Sequence, residues 1–420
     1  MFTRPAVGSP TTKGTPGTGS DFRIGRGGGR TKVSGYPEVM GEYPAAAMAE
    51  EILEAGNDSI KALVTVSGNP VLSTPHSQRL DEALDSLELM ISVDIYLNET
   101  TRHADIVLPP PSQLQRDHYD VFLLQYAVRN VANYSEAVLP LDDGQPDEWE
   151  ILSKLGLIAL GMGPDADPAV ADDQGIDSLI RSAVKDASSP VHGRDPDEIR
   201  AMLDRPGRRG PARMVDLMLQ TGPYGAGFGA NPNGASLDLL LANPHGVDFG
   251  ALDERIPEAL RTRSGKVELA ADPLIDDVSR LFASISELQS RDIVLVGRRH
   301  LKSNNSWMHN IGMLMKGSMN CSLHVHPIDA DRFGLRDGAY ATISSRVGTV
   351  MAPVEITEGI RPGVVSLPHG WGHDAPGTRM AVAAEKAGVN SNVLSDDRAM
   401  DPLSGTSVLN GIPVSIAPAQ

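Results

Sequence analysis

The chain has 420 residues, enough for two or three domains that each bury a core. Its 37 Lys and Arg against 54 Asp and Glu give a net charge of −17, which argues against a nucleic-acid partner, because neutralising a phosphate backbone takes an excess of cations on one face. No apolar run reaches the roughly 20 residues that span a bilayer, and Met1-Phe2-Thr3-Arg4-Pro5 is no export signal, so a soluble, untargeted, cytoplasmic chain with no membrane partner is expected.

Gly8 to Gly35 is dominated by Gly, Thr, Pro and Arg without an apolar period, which predicts a loop-rich start over residues 1–44. After Pro44, the run Ala45–Leu53 has helix formers with Met48, Ile52 and Leu53 on one side, and Gly56-Asn57-Asp58 supplies a stop. Ile60–Val66 is a short apolar run of the buried parallel-strand type, ended by Ser67-Gly68-Asn69-Pro70. Leu80, Ala83, Leu84 and Leu87 recur at helical spacing within Arg79–Leu89, Ile91–Tyr96 reads as a second strand, and Ala104–Leu108 as a third, closed by Pro109-Pro110-Pro111. Strand, helix, strand is a βαβ unit, and ligands of such sheets bind beyond the carboxyl ends of the strands. Gly68-Asn69-Pro70 and Asp94 to Thr100 occupy those ends.

Gln145–Gly161 reads as a helix with Trp149, Leu152, Leu155 and Ile158 on one face. Residues 166–290 are mixed: the chain is acidic from Asp165 to Asp177, basic at Arg205–Arg209 and Gly-rich from Gly222 to Gly234. Helices are expected at Ile176–Ala187 and Ala212–Leu219, no long periodic element dominates, and the stretch reads as a connecting region whose Arg205–Arg213 run is a solvated loop. From residue 291 short strands and tight turns take over, at Ile293–Val296, Ser322–Val325, Tyr340–Ser344, Gly348–Ile356, Gly363–Leu367 and Val408–Pro413, a pattern of a small β-barrel or sandwich. Within it, His326 to Gly338 contains a short helix started after Pro327 and stopped by Gly334.

The polar residues admit more than one reading each. Gly68-Asn69-Pro70 is an ordinary turn or, with Asp94 and Glu99-Thr100 at the next strand end, one wall of a ligand crevice; Asp94 caps its own loop or accepts from a ligand. His324 and His326 share a strand face without a further ligand nearby, which favours a structural role over a metal site, and no metal site is assigned. In His369-Gly370-Trp371-Gly372-His373 the glycines let a loop press a ring against a ligand, and the alternative is a packed surface turn. The single cysteine, Cys321, excludes an internal disulfide and any all-cysteine zinc or iron–sulfur site built from this chain alone, and reads as a small buried hydrophobe.

Six segments in order resemble the later part of the molybdopterin oxidoreductases, the family of formate dehydrogenases, periplasmic nitrate reductases and dimethyl sulfoxide reductases. They are Val64–Pro70, Val93–Thr100, Ala104–Pro109, Thr262–Leu269, Gly297-Arg298-Arg299 and His326–Gly338. The resemblance implies an α/β fold: a Rossmann-like parallel-sheet layer over 45–165, a connecting region over 166–290, and a C-terminal double-psi β-barrel over 291–420. It implies that these grip bis-molybdopterin guanine dinucleotide carrying molybdenum or tungsten. Asp94 would then accept from the guanine edge or ribose, Gly68-Asn69-Pro70 would admit the pyrophosphate, and Asn98, Glu99 and Thr100 would line the same crevice. Arg298 would pair with a phosphate, Asn304, Asn305 and Ser306 would meet pterin edges, and Asn390 would contact the pterin from an Asn-rich turn.

The family's cysteine ligands for an iron–sulfur cluster and its metal ligand lie early in its members, and neither segment is found here. The expectation is the C-terminal part of such an enzyme, truncated or one piece of a split one, inactive by itself and paired with a missing N-terminal half. The competing readings are a non-catalytic scaffold or assembly subunit that keeps the fold, and a free purine-nucleotide-binding domain, which the lack of a Gly-x-Gly-x-x-Gly opening the first helix disfavours.

Overall fold

A computed structural model of the chain describes residues 29–419 apart from 40, 255, 258, 259, 318 and 319. Most of the loop-rich start predicted for residues 1–44 lies outside the described residues. Two compact units are formed: Pro110–Leu269 is one, and the described residues up to Pro109 together with those from Ala270 onward are the other.

The first stretch of the second unit runs through helix α1 (Met48–Leu53), strand β1 (Ala62–Val66), helices α2 (Pro70–Ser73) and α3 (Ser77–Asp85), and strands β2 (Leu89–Val93) and β3 (Ile106–Leu108). The three strands form a parallel sheet in the order β1-β2-β3, with Val66 level with Val93 and Val93 with Leu108. Helices α1 and α3 cover one face, burying Ile52, Leu80, Leu84 and Met90 in one apolar cluster. The other face is open: Val64 is 52% and Val66 50% exposed, so the predicted buried strand is buried on one side alone. Strand β2 stops at Val93, three residues before the expected end at Tyr96, because Asp94 Oδ1 accepts from Tyr96 N at 3.0 Å and turns the backbone out of the sheet.

The Pro110–Leu269 unit contains short strands β4 (His118–Tyr119), β5 (Arg129–Ala132), β6 (Tyr134–Ser135) and β7 (Val247–Ala251), and helices α4 (Glu148–Ala159), α5 (Pro168–Lys185), α6 (Pro196–Leu203), α7 (Pro211–Thr221) and α8 (Leu237–Leu241). Asp147, Asp167 and Asp195 each accept from a backbone N–H at the helix start. Helix α5 is longer than the periodicity predicts, because its first two turns bury no apolar residue; Ile176 and Ile180 alone are buried, against Ile199, Leu203 and Leu217. The Arg205–Arg213 run is not a solvated loop. Arg213 bonds Asp172, Asp173 and Asp204 at 2.6–2.8 Å and Arg208 bonds Asp216 at 2.7 Å, both guanidinium groups being nearly buried. The acidic Asp165–Asp177 stretch and the basic run are thus two halves of one ion-pair network.

After Ala270 comes helix α9 (Asp272–Ser290), which the sequence analysis does not predict; its apolar residues Leu274, Leu281 and Phe282 stay more than half exposed or close to it. Then follow β8 (Val294–Arg298), β9 (Leu323–Val325), α10 (Pro327–Phe333), β10 (Tyr340–Ser344), β11 (Thr349–Ile356), β12 (Val364–Pro368), α11 (Ala381–Ala384), β13 (Ile412–Pro413) and β14 (Ser415–Pro418). His326 caps α10, Pro327 opens it, and Gly334 ends it with φ +67°, as the residues foretell. The seven strands form one mixed sheet in the order β13-β8-β12-β9-β11-β10-β14. Its outermost strands, β13 and β14, are separated in the chain by Val414 alone, so the sheet curls far enough to bring its two edge strands near one another there. One apolar cluster draws on every strand, through Leu295, Leu323, Ile343, Val354, Val365, Ile412 and Ile416. Among the described residues no helix is long and apolar enough to cross a membrane.

Candidate functional site

Within the second unit a cleft of about 560 Å³ opens between the loop after β1 and the loops of the curled sheet. Gly68 and Asn69 form one wall, and Gly297, Arg299, Asn305, Ser306, His369 and Gly370 another, with Asn392 and Asn410 closing it. Among the described residues that line it none is acidic, although the chain carries 54 carboxylate side chains. The polar lining is made of amides, hydroxyls and the His369 imidazole, with Arg299 as its one cation of fixed charge.

Backbone geometry makes this wall possible. Gly68 has φ +81° and Ser67 φ +56°, which turns the chain sharply off β1. A Cβ on Gly370, whose φ is +86°, would lie 2.1 Å from the Asn305 carbonyl oxygen, so the two loops touch backbone to backbone. Asn305 itself has φ +61°, and its Oδ1 accepts from Arg299 Nη2 at 2.5 Å, which holds the guanidinium at the cleft.

The predicted residues divide into those that face this cleft and those that build it. Gly68, Asn69, Asn305 and Ser306 line it; Pro70, Asp94, Asn98, Glu99, Thr100, Arg298, Asn304 and Asn390 do not. Pro70 opens helix α2. Arg298 is directed inward, where Nη1 donates to Ser366 O and Nη2 to Ser322 O, both at 2.9 Å, and burial pushes its guanidinium below its ordinary value. Arg299, the next residue at the end of β8, takes the cleft side. Asn390 donates to Val71 O at 3.0 Å and Asn392 to Leu72 O at 2.7 Å, so the Asn-rich turn pins α2, and of the two Asn392 reaches the cleft. Asp94 is nearly buried, accepting from Tyr96 N and from Asn98 Nδ2 at 3.4 Å; burial raises its carboxyl above the usual aspartate value despite those bonds. Asn98 Oδ1 takes the N–H groups of Thr100 and Thr101, both at 2.9 Å, closing the turn.

Behind the Asn69 wall runs a buried polar chain. Val71 N–H donates to Thr100 Oγ1 at 3.1 Å, Thr100 Oγ1 donates to Asn69 Oδ1 at 2.7 Å, and Asn69 Nδ2 donates to Glu99 Oε2 at 2.6 Å. Glu99 Oε1 lies 3.0 Å from His373 Nδ1, and His373 Nε2 lies 2.8 Å from His309 Nδ1. Glu99 is 1% exposed and both histidines are 0% exposed. Burial works to raise the Glu99 carboxyl, but the His373 and Asn69 bonds outweigh it and hold it below the usual glutamate value. Burial lowers His309 to about 4, so its ring is neutral at pH 7. The His369–His373 segment is therefore no surface turn: its first two residues face the cleft, while Trp371 and His373 are interior.

Other candidates are structural. Cys321 is buried beside Met315 and Trp371, burial pushes its thiol up to about 11, and it takes Val389 N–H. His324 lies 3.2 Å from Glu355, and His326 is the cap of α10. Among the described residues no group of three or more His, Cys, Asp or Glu is arranged to hold a metal ion. Sequence reasoning passed over Arg299, Asn410 and His309. Alternation along β8 could have suggested Arg299; nothing in Trp307-Met308-His309 announces the third.

Residues 293–413 match the protein family described as "Molydopterin dinucleotide binding domain". The chain is 22% identical over 327 residues to the assimilatory nitrate reductase catalytic subunit of Bacillus subtilis, covering 77% of this chain and 39% of that one. It is 24% identical over 328 residues to the F420-dependent formate dehydrogenase subunit alpha of Methanocaldococcus jannaschii (76% and 40%), and 22% identical over 405 residues to the dimethyl sulfoxide/trimethylamine N-oxide reductase of Rhodobacter capsulatus (94% and 45%). The chain thus spans about two fifths of the length of the curated relatives it matches. In fold it is similar to acetylene hydratase from Pelobacter acetylenicus, with a TM-score of 0.59 at 16% identity over 90% of this chain and 46% of that one.

Proposed function

We propose that this chain, which has a molybdopterin dinucleotide-binding domain at residues 293–413 and homologues in the molybdopterin oxidoreductase family over most of its length, is the C-terminal part of such an enzyme. Its cleft grips a bis-molybdopterin guanine dinucleotide. The observation that carries this reading is the lining: amides, hydroxyls and one imidazole around one arginine, without a described carboxylate, in a chain of net charge −17. Such a surface suits an anionic pyrophosphate joined to heterocycles whose edges are rich in donors and acceptors.

The residues fit that group. Gly68 lets the backbone come close to a phosphate, Arg299 presents charge from a position fixed by Asn305, and Asn69, Asn305, Ser306 and Asn392 offer paired donors and acceptors to ring edges. When bound, the cofactor supplies the redox chemistry at molybdenum or tungsten. The chain's own part is to orient it and keep water from its flank. On this reading the curled seven-stranded sheet is the family's double-psi β-barrel, and the near-closure at Val414 supports it. A missing N-terminal half or partner subunit is supported by the open apolar face of the small sheet, where Val64, Val66 and Ile106 are each about half exposed.

Metal analysis and nucleotide release on the protein purified from its native host test the proposal. Molybdenum or tungsten together with a guanine nucleotide is expected; absence of both favours the scaffold reading. Asp94→Ala separates two roles for that carboxylate: lowered guanine retention fits a purine-edge contact, whereas unchanged retention leaves Asp94 as the cap of its own loop.

A further inference from the structure

The buried chain behind Asn69 has a direction that its partners dictate. Thr100 Oγ1 accepts from Val71 N–H, so its own hydrogen goes to Asn69 Oδ1, which turns the Asn69 amide nitrogen toward Glu99. Glu99, held as a carboxylate, only accepts, so His373 carries its hydrogen on Nδ1. A neutral His373 then offers a lone pair at Nε2, and His309 must donate to it from Nδ1. His309 Nε2 is left as a bare acceptor, and it is a buried nitrogen without a hydrogen-bond partner. This is the less common tautomer of a histidine, imposed from a carboxylate two rings away.

We propose that Glu99, His373 and His309 form a buried proton relay that accepts one proton at His309 Nε2 and stores the charge on His373. The proton comes from hydronium, which is left as water. As the bond to His309 Nε2 forms, the His309 Nδ1–H bond breaks, and that hydrogen passes over 2.8 Å to His373 Nε2. His373 keeps its Nδ1–H toward Glu99, so the end state is a neutral His309, an imidazolium at His373 and a carboxylate at Glu99. An imidazolium at His309 would have no anion in contact, whereas at His373 it lies 3.0 Å from one. The titratable groups bearing on His309 are His373, His300 and Glu99, from three separate loops; the Gly370 backbone also bears on the ring and raises its value, and Trp371, tilted at 41° with its centroid 4.4 Å away, adds an apolar wall. His300 faces Trp371 at 5.9 Å, and burial and Arg298 lower its own value. The relay holds whatever occupies the cleft, and it gives that site a place for one proton without an unpaired interior charge.

The test is a histidine tautomer measurement by long-range proton–nitrogen correlation on the full chain labelled with nitrogen-15 histidine, the signals being assigned by loss in His309→Gln. At neutral pH His309 is expected as the Nδ1–H form. On acidification it switches to the Nε2–H form while staying neutral, as His373 becomes doubly protonated. In Glu99→Gln, the Asn69 amide holds the new carbonyl oxygen and the new NH2 group faces His373, so both histidines reverse tautomer already at neutral pH. An Nε2–H His309 in the unmodified chain, or tautomers unmoved by Glu99→Gln in a folded protein, overturns the relay. Should Glu99→Gln fail to fold, the pH series on the unmodified chain decides alone: direct double protonation of His309, or no switch, refutes it.

Discussion

Two regions of this molecule handle buried polarity in opposite ways. In the Pro110–Leu269 unit, Arg200, Arg208 and Arg213 are paired with aspartates, and each guanidinium has at least two carboxylate partners. Around the cleft, the lining has one fixed cation and no described carboxylate, and behind it His309 Nε2 and Trp371 Nε1 are buried without partners. Charge paired with charge fixes a shape. Neutral and unfinished hydrogen bonding leaves a surface that a ligand or a proton can complete.

The contrast predicts the largest loss where a buried charge is orphaned. Arg213→Ala strips Asp172, itself nearly buried, of its cation, and a cost of about 3–5 kcal/mol is expected in denaturant unfolding of the Pro110–Leu269 unit. Guanine-nucleotide retention per folded molecule should not change; a selective fall in retention would erase the proposed division of labour. Next in size is Gly370→Ala, which places a methyl group against the Asn305 carbonyl at a positive φ. A loss of about 1–3 kcal/mol is expected, and here the retention of the nucleotide should fall with it, since Arg299 depends on Asn305.

Acid sharpens the comparison with the smallest effect per step. His309 in the fold lies near 4, below the ordinary 6.5 of an unfolded histidine, so between those values the unfolded chain holds a proton that the folded ring refuses. Folding therefore loses stability as pH falls from about 6.5 to about 4, by at most about 1.4 kcal/mol per pH unit. Glu99, depressed below 4.5, adds a loss at the bottom of that window. In the ionic unit Asp173 is held below 3.8, first by Arg213, so its contribution survives until the pH falls further. Asp216, raised by burial, works in the opposite sense and favours the fold in acid. Amide hydrogen exchange followed region by region should show loops around His309 opening at a higher pH than α5 to α7; simultaneous opening would contradict the assignment.

Much of the architecture is legible in the residues because local chemistry and tertiary demand agree there. The β1 run ends at a glycine that must adopt positive φ, and Pro327 and Gly334 bracket α10 as their backbone preferences require. Helix α9 escaped because its apolar residues face solvent and its flanks lack the usual stop. The ion-pair network escaped because a basic run looks solvated until the acidic stretch that neutralises it is known to be adjacent in space. In the site, the loops were readable and the side-chain directions were not: one residue of register decides whether Arg298 or Arg299 reaches the cleft, and that is set by the partners Ser322 and Ser366 far along the chain.

The closure at Val414 has a consequence for biosynthesis. Strand β8 waits on Ile412–Pro413 and β10 on Ser415–Pro418, so five strands emerge from the ribosome with both borders of their sheet unpaired until residues 412–418 arrive. Ribosome-tethered intermediates that stop short of residue 412 would present two open ribbons to one another, and termination there would yield aggregation-prone polypeptide.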